Sequence, residues 1–308
     1  MVLTNFQERA LFGTLYAGTV VVGILSGPAA LLCIAITVLF ACWKEYSAMN
    51  NLGTLGTWGI SLINLFYFGA SFAGSNYIPS HTIMAITALL FLILVTILLF
   101  ARGIIAIHEM KTILSGCLYI SLPIFLFILL PQMGNLTPAD HLNYWNWQQH
   151  LGWPWGDKSS LIPQSSIDFT SQLPQYHWQY PLAVFVLIWS SDTFAYLVGK
   201  SIGKNPLHAL LSPKKTWEGF IGGTILTAGV ACLLFHYWDL GDLTTAALLG
   251  ASFSIFGTAG DLFESALKRD KDLKDSGNFI PGHGGALDRF DAFLFGCVVF
   301  WAWLNFAG

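Results

Sequence analysis

The 308-residue chain is 55% hydrophobic and only 10% charged, with a mean hydropathy of +0.61 and a net charge of −3. Those proportions exclude an ordinary soluble globule, and so small a net charge gives no sign of a nucleic-acid partner. A polytopic integral membrane protein is the class that fits.

A helix needs roughly 20 apolar residues to cross a bilayer, with a working range of about 17–25. Nine segments meet or approach that length, at about residues 11–27, 28–46, 57–74, 82–101, 112–131, 180–199, 217–238, 244–264 and 288–306. Only Ser26-Gly27-Pro28 separates the first two. The N-terminus carries no strongly basic run and no convincing cleavage site, so the first segment is expected to be a retained membrane helix, not a signal peptide. Cys33, Cys42, Cys117, Cys232 and Cys297 all fall inside apolar runs without CxxC spacing, and read as buried small hydrophobes. Residues 132–179 form a long loop holding Trp145, Trp147, Trp153, Trp155 and Trp178, which reads as an interfacial cap. The expected architecture is therefore all-α with about nine transmembrane helices. It divides into a five-span region (1–131), the Trp-rich outward-facing loop (132–179) and a four-span region (180–308).

Basic residues mark the cytoplasmic side of short loops. With nine spans and a cytoplasmic N-terminus, Arg9, Lys44, Arg102, Lys111, Lys200, Lys204, Lys214, Lys215, Lys268, Arg269, Lys271, Lys274 and Arg289 all face the cytoplasm, leaving Lys158 alone outside. An error of one span before residue 200 would split this set.

Charge is concentrated near the C-terminus. Residues 261–291 hold twelve charged side chains out of the 14 basic and 17 acidic in the whole chain. Asp261, Ser265 and Lys268 are spaced i, i+4, i+7 along one helix face, with Glu264 beside them. A carboxylate at mid-bilayer depth costs about 2.5–3.5 kcal/mol, and less toward the interface, so such residues face a partner or a wet cavity. An ion pair of Asp261 or Glu264 with Lys268 is the structural alternative. Next comes Pro281-Gly282-His283-Gly284-Gly285, whose glycines suit a backbone anion site ahead of a helix, although a tight inter-helix turn would read the same way. Asp261 ends one span and Asp288 begins the next, so both carboxylates can converge with substrate phosphates on Mg2+. Asp291 and Glu264 are further candidate ligands. Asp192, among Ser190, Ser191 and Thr193, marks a hydrated pocket or a structural polar network. Lys214 and Lys215 can neutralise polyphosphate or act as a topogenic pair, and Ser212-Pro213 looks like the N-cap and first residue of the following helix.

Ser265, Lys268-Arg269, Lys274-Asp275, His283-Gly284-Gly285 and Asp288-Arg289-Phe290-Asp291 together resemble the signature of the phosphatidate cytidylyltransferase (CDP-diacylglycerol synthase) family. SSDTFAYLVGKSIGK and SPKKTWEGFIGG resemble its upstream blocks, so the likeness is strong over residues 185–295; Ala286 stands where a larger aliphatic residue is expected. The resemblance implies a membrane-embedded helical enzyme that converts CTP and phosphatidate to CDP-diacylglycerol and pyrophosphate. It also implies a divalent metal on Asp261 and Asp288, a site open to the cytoplasm and the bilayer, and a homodimer.

In that reaction the phosphatidate phosphate is already nucleophilic, so positioning and charge stabilisation matter most. Ser265 would ligate metal or phosphate, His283 would donate to phosphate, and Lys214, Lys215, Lys268, Arg269, Lys274, Arg289, Gly284, Gly285 and Asp192 would line the substrates. A second cation would clamp both oxygens of the displacement. Two alternatives stay open: a CTP-dependent lipid kinase acting on another lipid, and a cation or proton transporter using Asp192, Asp261 and Asp288.

Overall fold

The computed structural model describes residues 5–53, 57–58, 60–61, 63–64, 90, 93, 105–131, 176–277, 279 and 284–306. Of residues 5–12 and 105–108 only the backbone is described. Most of the third and fourth expected spans, the loop residues 132–175 and His283 lie outside this set.

The chain is mostly helical. α1 (Asn5–Leu25) and α2 (Pro28–Met49) are separate helices, broken at Gly27, whose φ of +110° suits only glycine, and restarted by Pro28 at the first helical position. α3 (Ile105–Gly116) continues through a π-helical turn (Cys117–Ser121) into α4 (Leu122–Leu129). Pro123 has no N–H for the Tyr119 carbonyl, and the helix accommodates it by widening one turn earlier.

α5 (Gln179–Ile202) leads into a hairpin of β1 (Pro206–His208) and β2 (Ser212–Thr216), paired antiparallel with Pro206 opposite Thr216 and His208 opposite Ser212. This hairpin corrects two expectations. The fold is not purely α, and the following helix does not start at Ser212-Pro213. Its N-cap is Thr216, whose Oγ1 accepts from Gly219 N at 3.2 Å, while Glu218 turns back to accept from Lys204 N and the Asn205 side chain. α6 (Trp217–Trp238) is then followed by α7 (Leu243–Asp270), capped by Asp242, and by α8 (Leu287–Phe306).

Five of the described helical stretches are long and apolar enough to cross a membrane: Pro28–Met49, Glu109–Leu129, Gln179–Ile202, Trp217–Trp238 and Leu243–Asp270. α8 coincides with the ninth expected segment but is not among them. It carries Asp288, Arg289 and Asp291 in its first turns, and it packs against α2, α4, α5 and α7. Leu287, Phe290, Phe293, Leu294, Cys297 and Phe300 are all buried, with Phe293 set against Phe127 and Phe185. All five cysteines are free. Cys42 and Cys297 are buried as expected, Cys117 and Cys232 partly so, whereas Cys33 is exposed on α2.

The bundle has two distinguishable ends. At one, Tyr176 Oη donates to Ile24 O, His177 N to Pro131 O, and Trp178 meets Trp238 edge to face. The end of α2, the start of α3, the hairpin, the end of α7 and the start of α8 lie at the other.

Candidate active site

Helical spacing sets Asp261, Glu264, Ser265 and Lys268 along one flank of α7, and Asp288 and Asp291 face them from the first turns of α8. The two helices approach closely because residue 260 is glycine. A Cβ there would strike the Asp291 carbonyl oxygen and the Phe295 side chain.

This approach sorts the four acids into two pairs, Asp261 beside Asp291 and Glu264 beside Asp288. Each pair has its own ammonium. Lys215 Nζ forms an ion pair with Asp261 Oδ2. Lys268 Nζ lies 2.5 Å from both Glu264 Oε2 and Asp288 Oδ1, with the Glu264 side chain 1% exposed and that of Asp288 9% exposed. The ion pair weighed for Lys268 is therefore present, with Glu264 and Asp288. Four carboxyl groups against two ammonium groups give the cluster a surplus of oxygen donors, which suits a cation.

β2 selects which lysine enters. Neighbouring residues of a strand point to opposite faces, so Lys215 turns to Asp261 while Lys214 is exposed. Asp192 is exposed on α5, within electrostatic reach of Lys215, Asp261 and Arg289. The buried Ser191 beside it shares a hydrogen bond of 2.8 Å with Ser254.

The loop before α8 is organised by carboxylates. Asp288 Oδ2 accepts from Gly285 N at 2.8 Å and Ser276 N at 3.0 Å, with Ser276 Oγ 3.1 Å away. Gly285 N–H, expected to be open to phosphate, is thus engaged within the protein. Gly284 has a φ of +86° and is half-buried beside Asp288. Two other predicted residues stand apart: Arg269 Nη1 donates to Leu273 O at 3.0 Å on the surface, and Lys274 is exposed; Arg289 is exposed within reach of Asp192. Ser265 is half-buried one turn beyond Asp261.

One residue at this end was missed by sequence reasoning. Glu45, on the last turns of α2, accepts hydrogen bonds from Ser276 Oγ, Ala286 N and Leu287 N. Beside Lys44 it reads as the ordinary charged exit of a span. The only available signal is an acid at the same end of the bundle as the others.

The donor set fits a hard divalent cation. It consists of carboxylate oxygens, and Glu264 Oε1 is buried with no hydrogen-bond donor on it. Among the described residues, no three His, Cys, Asp or Glu side chains converge tightly enough to hold a metal unaided. One or two carboxylates completed by substrate phosphates is the usual arrangement for Mg2+.

Fold and site together define a multi-span membrane protein with an acidic, lysine-bridged polar centre at one end of its helices. The chain belongs to the Cytidylyltransferase family, whose model matches residues 7–307. It is 51% identical over 124 residues to a phosphatidate cytidylyltransferase of Bacillus subtilis (strain 168), covering 40% of this chain and 46% of that protein. It is 47% identical over 118 residues to one of Staphylococcus aureus (strain COL), covering 38% and 45%, and 45% identical over 117 residues to one of Staphylococcus haemolyticus, with the same shares. The matched stretch spans less than half the length of these relatives.

Proposed function

We propose that this protein is a phosphatidate cytidylyltransferase, joining CTP and phosphatidate into CDP-diacylglycerol with release of pyrophosphate. The observation that carries the reading is the pairing of Asp261 with Asp291 and of Glu264 with Asp288, with Lys215 ion-paired to Asp261 and Lys268 bridging Glu264 and Asp288, at the stretch that bears the family's signature. Relatives named for that activity support it.

In the reaction a phosphate oxygen of phosphatidate forms a bond to the CTP α-phosphorus. The bond from that phosphorus to the β-phosphate bridging oxygen breaks, and pyrophosphate leaves with the electron pair. Bound Mg2+, with a second cation beside it, would neutralise the phosphates and stabilise charge on the departing oxygen. Asp261 and Asp288 would hold the metal, with Asp291, Glu264 and Ser265 as neighbouring oxygen donors. Lys215 and Lys268 exchange their carboxylate partners for substrate phosphate as the site fills, while Lys214, Arg269, Lys274 and Arg289 hold the nucleotide's approach path electropositive. His283 and Gly284 are assigned to phosphate contacts, and Asp192 to the polar wall. No general base is needed, because the second pKa of a phosphate monoester is about 6.

The membrane reading is nine spans with the N-terminus and the site cytoplasmic. The described helices alternate in direction between the two ends, and α2 ends where α3 begins. The nine-span count requires both. Residues 180–308 would form the catalytic region. The test is purified protein in lipid nanodiscs with labelled CTP, phosphatidate and Mg2+. Pyrophosphate and CDP-diacylglycerol should appear in equal amounts, and their absence under every metal condition would defeat the proposal.

A further inference from the structure

The helix N-terminus that should be most attractive to a phosphate is already occupied by an anion from this chain. The first N–H groups of an α-helix lack intrahelical partners and carry the positive end of its dipole. At α8 the first helical N–H and the two just before it go to carboxylates: Leu287 N to Glu45 Oε2 at 3.0 Å, Ala286 N to Glu45 Oε1 at 2.8 Å, and Gly285 N to Asp288 Oδ2. Glu45 Oε2 also accepts from Ser276 Oγ at 2.8 Å, and that oxygen is 3.1 Å from Asp288 Oδ2. Ser276 has one hydroxyl proton, so it links the two acids without satisfying both at once.

Glu45 is itself firmly placed. Trp43, wholly buried, donates Nε1–H to Ser121 Oγ in the π-helical turn at 2.9 Å, and Tyr46 Oη pairs with Ser115 Oγ at 2.7 Å. These ties fix the last turns of α2 on both sides of Glu45. The loop side is equally shaped: a Cβ on Gly277 or on Gly285 would run into the Glu45 carboxylate, and one on Gly285 would also strike Ser276 Oγ.

We infer that Glu45 is a positioning residue for the reaction, a fixed carboxylate cap that holds Ser276 and the start of α8 so that Asp288 faces Lys268 and Glu264. Glu45 touches none of the reacting atoms and acts through Asp288. The inference rests on the proposed cytidylyl transfer, and it extends the working site into the N-terminal region. Removing an outer partner of this kind costs about 10–100-fold in activity.

The test uses the full chain in nanodiscs, with Glu45→Gln, Glu45→Ala, Ser276→Ala and the Glu45→Ala/Ser276→Ala pair. Turnover should fall about 10–100-fold in Glu45→Ala while KM for CTP and phosphatidate changes by less than about threefold. Glu45→Gln, which keeps one acceptor, should recover part of it. The double variant should be no slower than Glu45→Ala. Hydrogen exchange at the Ala286 and Leu287 amides should quicken in Glu45→Gln, a readout that needs no turnover and serves even if Glu45→Ala does not fold. Unchanged exchange at those amides overturns the inference, as does full turnover in a folded Glu45→Ala. A lower KM for CTP with undiminished turnover would also overturn it, making Glu45 a displaceable plug. If wild type itself makes no product, the cytidylyl reading fails, while the exchange result still decides whether Glu45 is the cap.

Discussion

Replacing Lys268 by Met keeps the length of the side chain and removes its charge. In the native protein that charge sits 2.5 Å from each of two nearly buried carboxylates, and its own side chain is only 12% exposed. Its loss leaves Glu264 and Asp288 facing each other without a counter-charge. Breaking a buried ion pair from one side costs about 3–5 kcal/mol. At roughly 2 °C per kcal/mol for a chain of this size, Tm should fall by about 6–10 °C. Adding Glu264→Gln removes the repulsion, so the double variant should regain at least half of the lost stability. It should not regain activity, which falls by about 100-fold if Lys268 meets phosphate in the transition state. Tm is read by intrinsic fluorescence in detergent, and activity by pyrophosphate release. A Lys268→Met protein melting within about 1 °C of wild type would refute the electrostatic reasoning. So would a double variant less stable than the single one.

Asp288→Asn should cut turnover more than 100-fold and also loosen the loop, since it weakens the acceptor for Gly285 N and Ser276 N; Asp261→Asn should abolish turnover with little change in loop exchange. Normal rates in both would dismantle the metal assignment. Gly285→Ala drives a methyl group into Ser276 Oγ and Glu45, and should cost about 1–3 kcal/mol in a thermal melt. Gly229→Ala in α6, where a Cβ meets nothing within 4 Å, should be neutral or slightly stabilising in the same assay. Asp242 caps α7, and hydrogen bonds led by that from the Thr245 side chain hold its carboxyl below the usual aspartate range. A depressed value means the stabilisation is complete above the unfolded-state pKa and disappears as pH falls through the folded one. The Tm gap between wild type and Asp242→Asn should therefore be widest near neutrality and close below about pH 4; a gap constant with pH would count against the cap's charge.

Helix placement was legible because bilayer length and hydropathy are one-dimensional signals: the seventh expected segment coincides with α6, and the eighth lies within α7. Asp261, Lys268 and Asp288 were legible because helical spacing groups the first two at the end of one span and Asp288 begins the next span, at the same end of the bundle. The hairpin was not. Its strands are three and five residues long, stabilised by each other and by Glu218, with no alternating apolar pattern for a strand reading to find. The partner of each acid was also hidden, since it depends on how closely α7 and α8 approach at Gly260. Glu45 lies 241 residues from Ala286, and no local pattern reports so distant a hydrogen bond.

The strand carrying Lys215 has a consequence for how the chain tolerates length change. Residues added at the hairpin tip, around Ala209 to Leu211, lengthen an exposed turn and leave the pairing of Pro206 with Thr216 in place. One residue inserted between Lys215 and Thr216 would rotate the strand by half a period, sending Lys214 toward Asp261 no better than sideways and Lys215 to the surface. A single insertion would strip the acidic cluster of one of its two counter-ions, while a longer one a few positions earlier would pass unnoticed.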